Sequence, residues 1–132
     1  MSLKFVNPNN APQPAANYTN LVVIPAGHKI LTIAGQIGNL VDGTIVDGLE
    51  AQYEQAIANI NAIVASEGGS SKNIARITVF LTEKPVEGDK VTAAMKKHFP
   101  EGPPAMSWIY VSALFREDVK VEIEAIAALS DS

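Results

Sequence analysis

Tyr53, Ile57, Ile60 and Val64 recur at helical spacing, and the stretches that follow them alternate instead. No other feature of the chain limits its fold so much. Ala56 and Ile63 broaden the apolar stripe, while Glu50, Glu54 and Asn61 take up much of the remaining surface. The pattern predicts an amphipathic helix of about five turns that must bury one face. Asp47 with Glu50 three residues later has the spacing of a capping box, with Asp in place of Ser or Thr. Gly68-Gly69 supplies the stop, because glycine takes a left-handed cap at little cost.

The alternating stretches predict strands. In Ile74–Thr82, Ile77, Val79 and Leu81 face one way, and Arg76, Thr78, Phe80 and Thr82 the other. In Val119–Ala127, Val121, Ile123 and Ala125 oppose Lys120, Glu122, Glu124 and Ile126. Leu21–Ile24 and Lys29–Gln36 flank Pro25-Ala26-Gly27-His28, which suggests a hairpin. A second helix is expected from Asp89 to about Phe99, with Val91, Met95 and Phe99 on one face, stopped by Pro100, Pro103 and Pro104. Ala105–Leu114 reads as a further strand, and Leu3–Val6 is a candidate extra one. Asn7–Asn20, rich in Pro, Asn and Ala, reads as irregular chain laid over a surface.

The order β-β-α-β-α-β-β, without linker or repeat, points to one α+β domain over residues 1–132. Its simplest form is a mixed sheet with two helices packed on one face. The other sheet face would carry Thr78, Phe80, Trp108 and Tyr110, which is too apolar to leave in water. Burial against further copies of the chain is the natural solution.

Composition narrows the function. At 47% hydrophobic and 18% charged residues the chain can build a core and is not of disordered type. A net charge of −4, with Lys96-Lys97 as the only basic doublet, argues against nucleic acid or an anionic membrane as partner. The absence of cysteine excludes disulfides, thiolate metal ligands and a thiol nucleophile. His28 and His98 lack companions that would make a metal site, and no nucleophile elbow or phosphate loop is present. Met1–Asn10 does not read as a signal peptide, and no apolar run approaches the roughly 18 residues of a membrane span, so a cytoplasmic location is expected.

Several stretches, taken in order, resemble the RidA (YjgF-like, endoribonuclease L-PSP) family. Ala34-Gly35-Gln36-Ile37 resembles its Ser-Gly-Gln-Ile strand end. Glu50-Ala51-Gln52 with Asn59-Ile60 resembles its first helix, and Thr78–Thr82 its central strand. Pro103-Pro104-Ala105-Met106-Ser107 resembles Pro-Pro-Ala-Arg-Ser, and Val121–Ala127 resembles the closing strand. The resemblance implies a chorismate-mutase-like fold and a homotrimer whose sheets form an inner barrel. It also implies small-metabolite sites in the clefts between subunits, with no metal or organic cofactor. Members of the deaminase branch hydrolyse enamines and imines to 2-keto acids and ammonia.

Carried over by position, the resemblance implies ligand contacts from Tyr18, Ala34, Gly35, Thr92, Met106 and Trp108, and a catalytic Glu122. Tyr18 matches a tyrosine that covers the ligand, and Gly35 a glycine whose backbone meets it. Glu122 matches the acid that positions or activates water. Imine hydrolysis needs a group that takes a proton from water and passes it to the leaving nitrogen, and a carboxylate can do so. Glu124 shares its strand face; a bland pairing of Glu122 with Lys120 or Arg116 is the competing expectation.

Four positions depart from the pattern. Met106 stands where an arginine clamps the substrate carboxylate, and a thioether cannot make that bidentate contact. Ala34 replaces a serine, Thr92 an asparagine, and Trp108 a small residue. The expected reading is therefore a family member that binds a small metabolite but is not a standard 2-imino-acid deaminase. The alternative is an imine or enamine hydrolase using Glu122 on another substrate. RNA cleavage, which the family's name carries, is disfavoured by the acidic charge and the lack of a paired-histidine site. Packing alone is the plain competing explanation for Met106 and Trp108.

Overall fold

The computed structural model describes residues 1–130. Six strands and two helices run in the order β1 (Lys4–Val6), β2 (Leu21–Val23), β3 (Lys29–Ile37), α1 (Leu49–Ser66), β4 (Ile74–Leu81), α2 (Gly88–His98), β5 (Ala105–Tyr110) and β6 (Val121–Leu129). A single 3₁₀ turn, Ser71–Asn73, leads into β4. The main sheet has the order β3-β6-β4-β5, with β4 and β5 parallel and the other pairs antiparallel. Both helices lie on one face, so the mixed-sheet α+β architecture expected from the periodicities is the observed one.

The stripe on α1 buries as its spacing predicts. Tyr53, Ala56, Ile57, Ile60 and Val64 pack against Ile77, Val79 and Leu81 of β4 and Val121, Ile123 and Ala125 of β6. Ile63 does not join them; it is exposed, because it lies on the edge of the stripe that nothing covers. The helix ends at Ser66, and the chain turns away at Gly68, with φ +89°, where the Gly68 N–H reaches Ala65 O (3.0 Å) and the Gly69 N–H reaches Val64 O (3.1 Å). That pair of bonds satisfies two carbonyls the last turn leaves open.

Four sequence expectations change. Asp47 and Glu50 do not form a capping box: the N-cap is Gly48, which makes no side-chain cap bond. Glu50 instead turns to the other helix and accepts the N–H groups of Val86 (2.9 Å) and Glu87 (3.1 Å), just before α2. Nor do β2 and β3 form a hairpin. β2 pairs with β1 as a separate two-stranded sheet, and β6 takes the edge of β3. The Pro-Ala-Gly-His turn fixed a change of direction, and long-range pairing chose the partners. The small sheet packs on the second face of the main sheet, where Leu3, Phe5 and Val22 meet Ala75 and Ala128.

The strand expected to reach Leu114 stops at Tyr110, and the last strand starts at Val121 and runs to Leu129. Finally, Trp108 and Tyr110 lie on the helix side of the sheet. They are the register partners of Val79 and Leu81 on a parallel strand, so they share those residues' face. The second face still carries apolar surface without them: Ile30, Ile109 and Ile126 are exposed there beside Thr78 and Phe80. Among the described residues no helix is long and apolar enough to cross a membrane.

Candidate functional site

β5 runs along the edge of the main sheet next to α2, and a cavity of about 560 Å³ opens between them. That volume lies within the ordinary range for small-molecule sites. Met106, Trp108 and Tyr110 contribute from β5, Val91, Thr92 and Met95 from α2, and Tyr53 from α1. Tyr18 closes the cavity from the N-terminal segment. That segment is pinned where it matters: the Thr19 N–H bonds Pro104 O at 3.1 Å, and the Thr19 hydroxyl bonds Pro103 O. The irregular chain is thereby fastened beside the start of β5, and the Tyr18 hydroxyl accepts the Ala15 N–H at 3.1 Å.

No Asp, Glu, Lys, Arg or His lines this cavity. The Thr92 hydroxyl donates to Gly88 O at 3.3 Å, which leaves it as an acceptor only. The Tyr53 and Trp108 rings lie 5.7 Å apart and tilted by 49°, a favourable aromatic contact. The Tyr53 hydroxyl is buried and has no hydrogen-bond partner. Burial without a compensating charge pushes its ionisation well above the usual phenol range, so it stays a neutral donor.

A second group sits elsewhere. The β3–β6 register shifts between Ile33 and Gln36, so Ala34 and Gly35 form a bulge. Glu122 of β6 lies against that bulge: a Cβ built on Gly35 would come within 2.0 Å of its Oε2. Only glycine leaves room for the carboxylate there. The Gln36 side chain donates to Ala34 O at 3.0 Å and helps to hold the bulge. Neither Lys120 nor Arg116 pairs with Glu122; Lys120 faces Glu83 at 3.7 Å and Arg116 holds Asp118 at 2.7 Å. The Glu122 carboxylate has no hydrogen-bond or ion-pair partner among the described residues.

The seven residues singled out from the sequence thus fall into two sets. Tyr18, Thr92, Met106 and Trp108 line one cavity. Ala34, Gly35 and Glu122 gather on the β3–β6 side. β4 lies between β5 and β6, and Glu122 and Trp108 point to opposite sheet faces. Two strand spacings of roughly 10 Å separate them, so within one chain no small ligand touches both.

Tyr53 and Tyr110 were not singled out from the sequence, although both line the cavity. A phenol on an otherwise aliphatic helix stripe was the available signal. The two histidines serve locally: His98 Nε2 lies 3.0 Å from Glu54 Oε2, and His28 Nε2 lies 2.8 Å from Met1 O. Among the described residues no group of three or more acids and histidines could hold a metal. A second cavity, between α1 and α2, is lined by charges that pair with one another, Lys90 with Glu87 and Lys97 with Glu54.

The profile of the family described as Endoribonuclease L-PSP matches residues 8–129. Protein DfrA of Myxococcus xanthus is 34% identical over 135 residues, 96% of each chain. A 2-iminobutanoate/2-iminopropanoate deaminase of Salmonella typhimurium is 34% identical over 130 residues, 94% of this chain and 96% of the relative. A crystal structure of a protein of unknown function of the conserved Rid family from Yersinia pestis superposes with a TM-score of 0.86. It is 26% identical, and the match covers 98% of this chain and all of the other.

Proposed function

The chain belongs to the endoribonuclease L-PSP (RidA, YjgF-like) family, and from that premise we propose that it binds a small, uncharged metabolite in clefts between the subunits of a homotrimer, without standard 2-imino-acid deaminase activity. One observation carries the reading: the cavity beside β5 has Met106 where the resemblance places a carboxylate-binding arginine, and no other cation lines it. A bidentate guanidinium contact typically contributes several kcal/mol to holding a carboxylate, on the order of a hundredfold or more in affinity. A thioether offers none of it.

The homotrimer is supported by two features. The second sheet face exposes Ile30, Ile109 and Ile126, which water disfavours. The two groups of candidate residues also lie on opposite faces, so only a second copy can bring Glu122 to a ligand held beside Trp108. The ligand would then touch Tyr18, Thr92, Met106 and Trp108 of one copy and Ala34, Gly35 and Glu122 of another.

A second reading has its own support. Glu122 carries a carboxylate with no internal partner, set against backbone that a Gly35 side chain would block. Such a group is available to take a proton from water and deliver it to a leaving nitrogen. This favours hydrolysis of an imine or enamine that lacks a carboxylate. RNA cleavage has no such support: the net charge is −4, and both histidines are held by local partners far apart in the fold.

The test is direct. Imines generated in situ from alanine or 2-aminobutyrate should be hydrolysed no faster than without protein, and Met106→Arg should gain activity. Hydrolysis by the unmodified chain at a rate abolished by Glu122→Gln would overturn the non-deaminase reading.

A further inference from the structure

All three tyrosines of the chain and its single tryptophan line one cavity. Two of the three methionines join them there. Core packing alone does not require this concentration, since the rest of the core is built from Ile, Leu, Val and Ala with Phe99. Aromatic rings and thioethers together make flat, polarisable walls that suit another ring.

The polar content of the cavity is equally specific. Thr92 gives its hydroxyl hydrogen to Gly88 O, the Tyr18 hydroxyl accepts the Ala15 N–H and keeps its own hydrogen, and Asn17 and the exposed Tyr110 are the other polar side chains of the lining. Tyr53 differs from all of these: its hydroxyl is fully buried and has no partner at all among the described residues. A buried hydroxyl with no partner is disfavoured, and a bound acceptor would relieve that cost. The half-buried Trp108 ring packs against the Tyr53 ring in the same cavity, so a ligand that reaches Tyr53 is felt at Trp108.

We propose that the Tyr53 hydroxyl is the polar anchor of this cavity, and that its ligand is a neutral aromatic molecule presenting one hydrogen-bond acceptor, such as a ring-attached carbonyl. The proposal deepens the small-metabolite reading above and rests on it. A carboxylate finds no cation on these walls. An organic cation suits aromatic faces and the Glu122 carboxylate that a second copy would bring, but it gives the Tyr53 hydroxyl no acceptor. A neutral acceptor satisfies both constraints.

The experiment uses the full chain and matched probes. Acetophenone and ethylbenzene have nearly the same shape and differ in the acceptor; benzoate and tetramethylammonium supply the two charges. Binding is followed by calorimetry and by the single indole N–H resonance, which belongs to Trp108. Acetophenone should bind about tenfold tighter than ethylbenzene, the equivalent of one net hydrogen bond. Tyr53→Phe should abolish that preference while leaving ethylbenzene unchanged. The variant should fold with an undiminished Tm, because the lost hydroxyl had no partner. A preference that survives in Tyr53→Phe, or tighter binding of tetramethylammonium than of acetophenone, would overturn the Tyr53 assignment while leaving the cavity a ligand site. Tighter binding of benzoate would overturn the uncharged-ligand reading itself, and a Trp108 signal that no probe moves would remove both.

Discussion

The carboxylate of Glu122 occupies the space where a side chain on Gly35 would begin: a Cβ there would lie 2.0 Å from Oε2 and 2.7 Å from Cδ. The β3 bulge and the acid on β6 are therefore one unit. Gly35→Ala should cost about 1–3 kcal/mol, because Glu122 Cγ would also lie 2.8 Å away and the whole side chain, not its tip alone, has to move. It should thereby displace the carboxylate. Any hydrolytic activity or ligand affinity that depends on Glu122 should fall in Gly35→Ala as far as in Glu122→Gln. The double variant should be no worse than either. Additive losses in the double-mutant cycle would show that Gly35 acts independently of the acid.

Glu50 caps the wrong helix from the standpoint of its own sequence neighbourhood. Its carboxylate accepts the N–H groups of Val86 and Glu87, and the Glu87 bond is the main cause that holds its pKa below the ordinary 4.5. A group depressed in the folded state stabilises the fold above its unfolded pKa and loses that contribution as pH falls through the folded value. Glu50→Ala should therefore lower stability at pH 7 by on the order of 1 kcal/mol, as loss of a cap does. The difference between the two proteins should shrink below about pH 4.5 and vanish in stronger acid. Urea titrations at pH 3, 5 and 7 check this; a difference independent of pH would mean that packing, not charge, carries the effect.

Gln52 is buried at 2% exposure and joins three segments. Its amide nitrogen donates to Val46 O (3.1 Å) and Asp118 O (2.8 Å), and its oxygen accepts the Lys120 N–H (2.7 Å). These bonds tie α1 to the loop that delivers β6, and with it Glu122. Gln52→Leu keeps the volume but leaves three backbone groups unpaired, at a cost of about 2–4 kcal/mol. Urea unfolding should show a lower midpoint with an unchanged slope. A loss below about 0.5 kcal/mol would mean that water replaces the amide there.

What the sequence made legible follows from range. The α1 stripe and the alternation of β4 and β6 are local patterns, and each buried the face it predicted. Partner choice is not local: nothing in Leu21–Val23 says that it pairs with Lys4–Val6 rather than with the strand after its turn. The face of Trp108 depended on a parallel register with Val79, which alternation within β5 alone does not fix. The candidate site was read by position within motifs, which named residues without showing that β4 divides them. Tyr53 was hidden because it serves two purposes, a core residue by its ring and an unpartnered donor by its hydroxyl.

Ile126 offers the sharpest test of the assembly. It lies on the second sheet face, 39% exposed, in register with Thr32 and Arg76 and on the same face as Glu122 and Glu124. In an isolated chain an aspartate there is solvated, so Ile126→Asp should change the folding free energy by less than about 1 kcal/mol. In a trimer whose sheets meet at this face, three new charges join the existing acids in a space with little water, and the penalty is several kcal/mol for the assembly. Light scattering should therefore report a trimer for the unmodified chain and a monomer for Ile126→Asp, with the far-ultraviolet spectrum unchanged. The monomer should also lose ligand binding that needs Glu122, because the neighbouring copy that supplies it is gone. A variant that remains trimeric would mean that the subunits meet through another surface, and the two groups of site residues would then have no route to a common ligand.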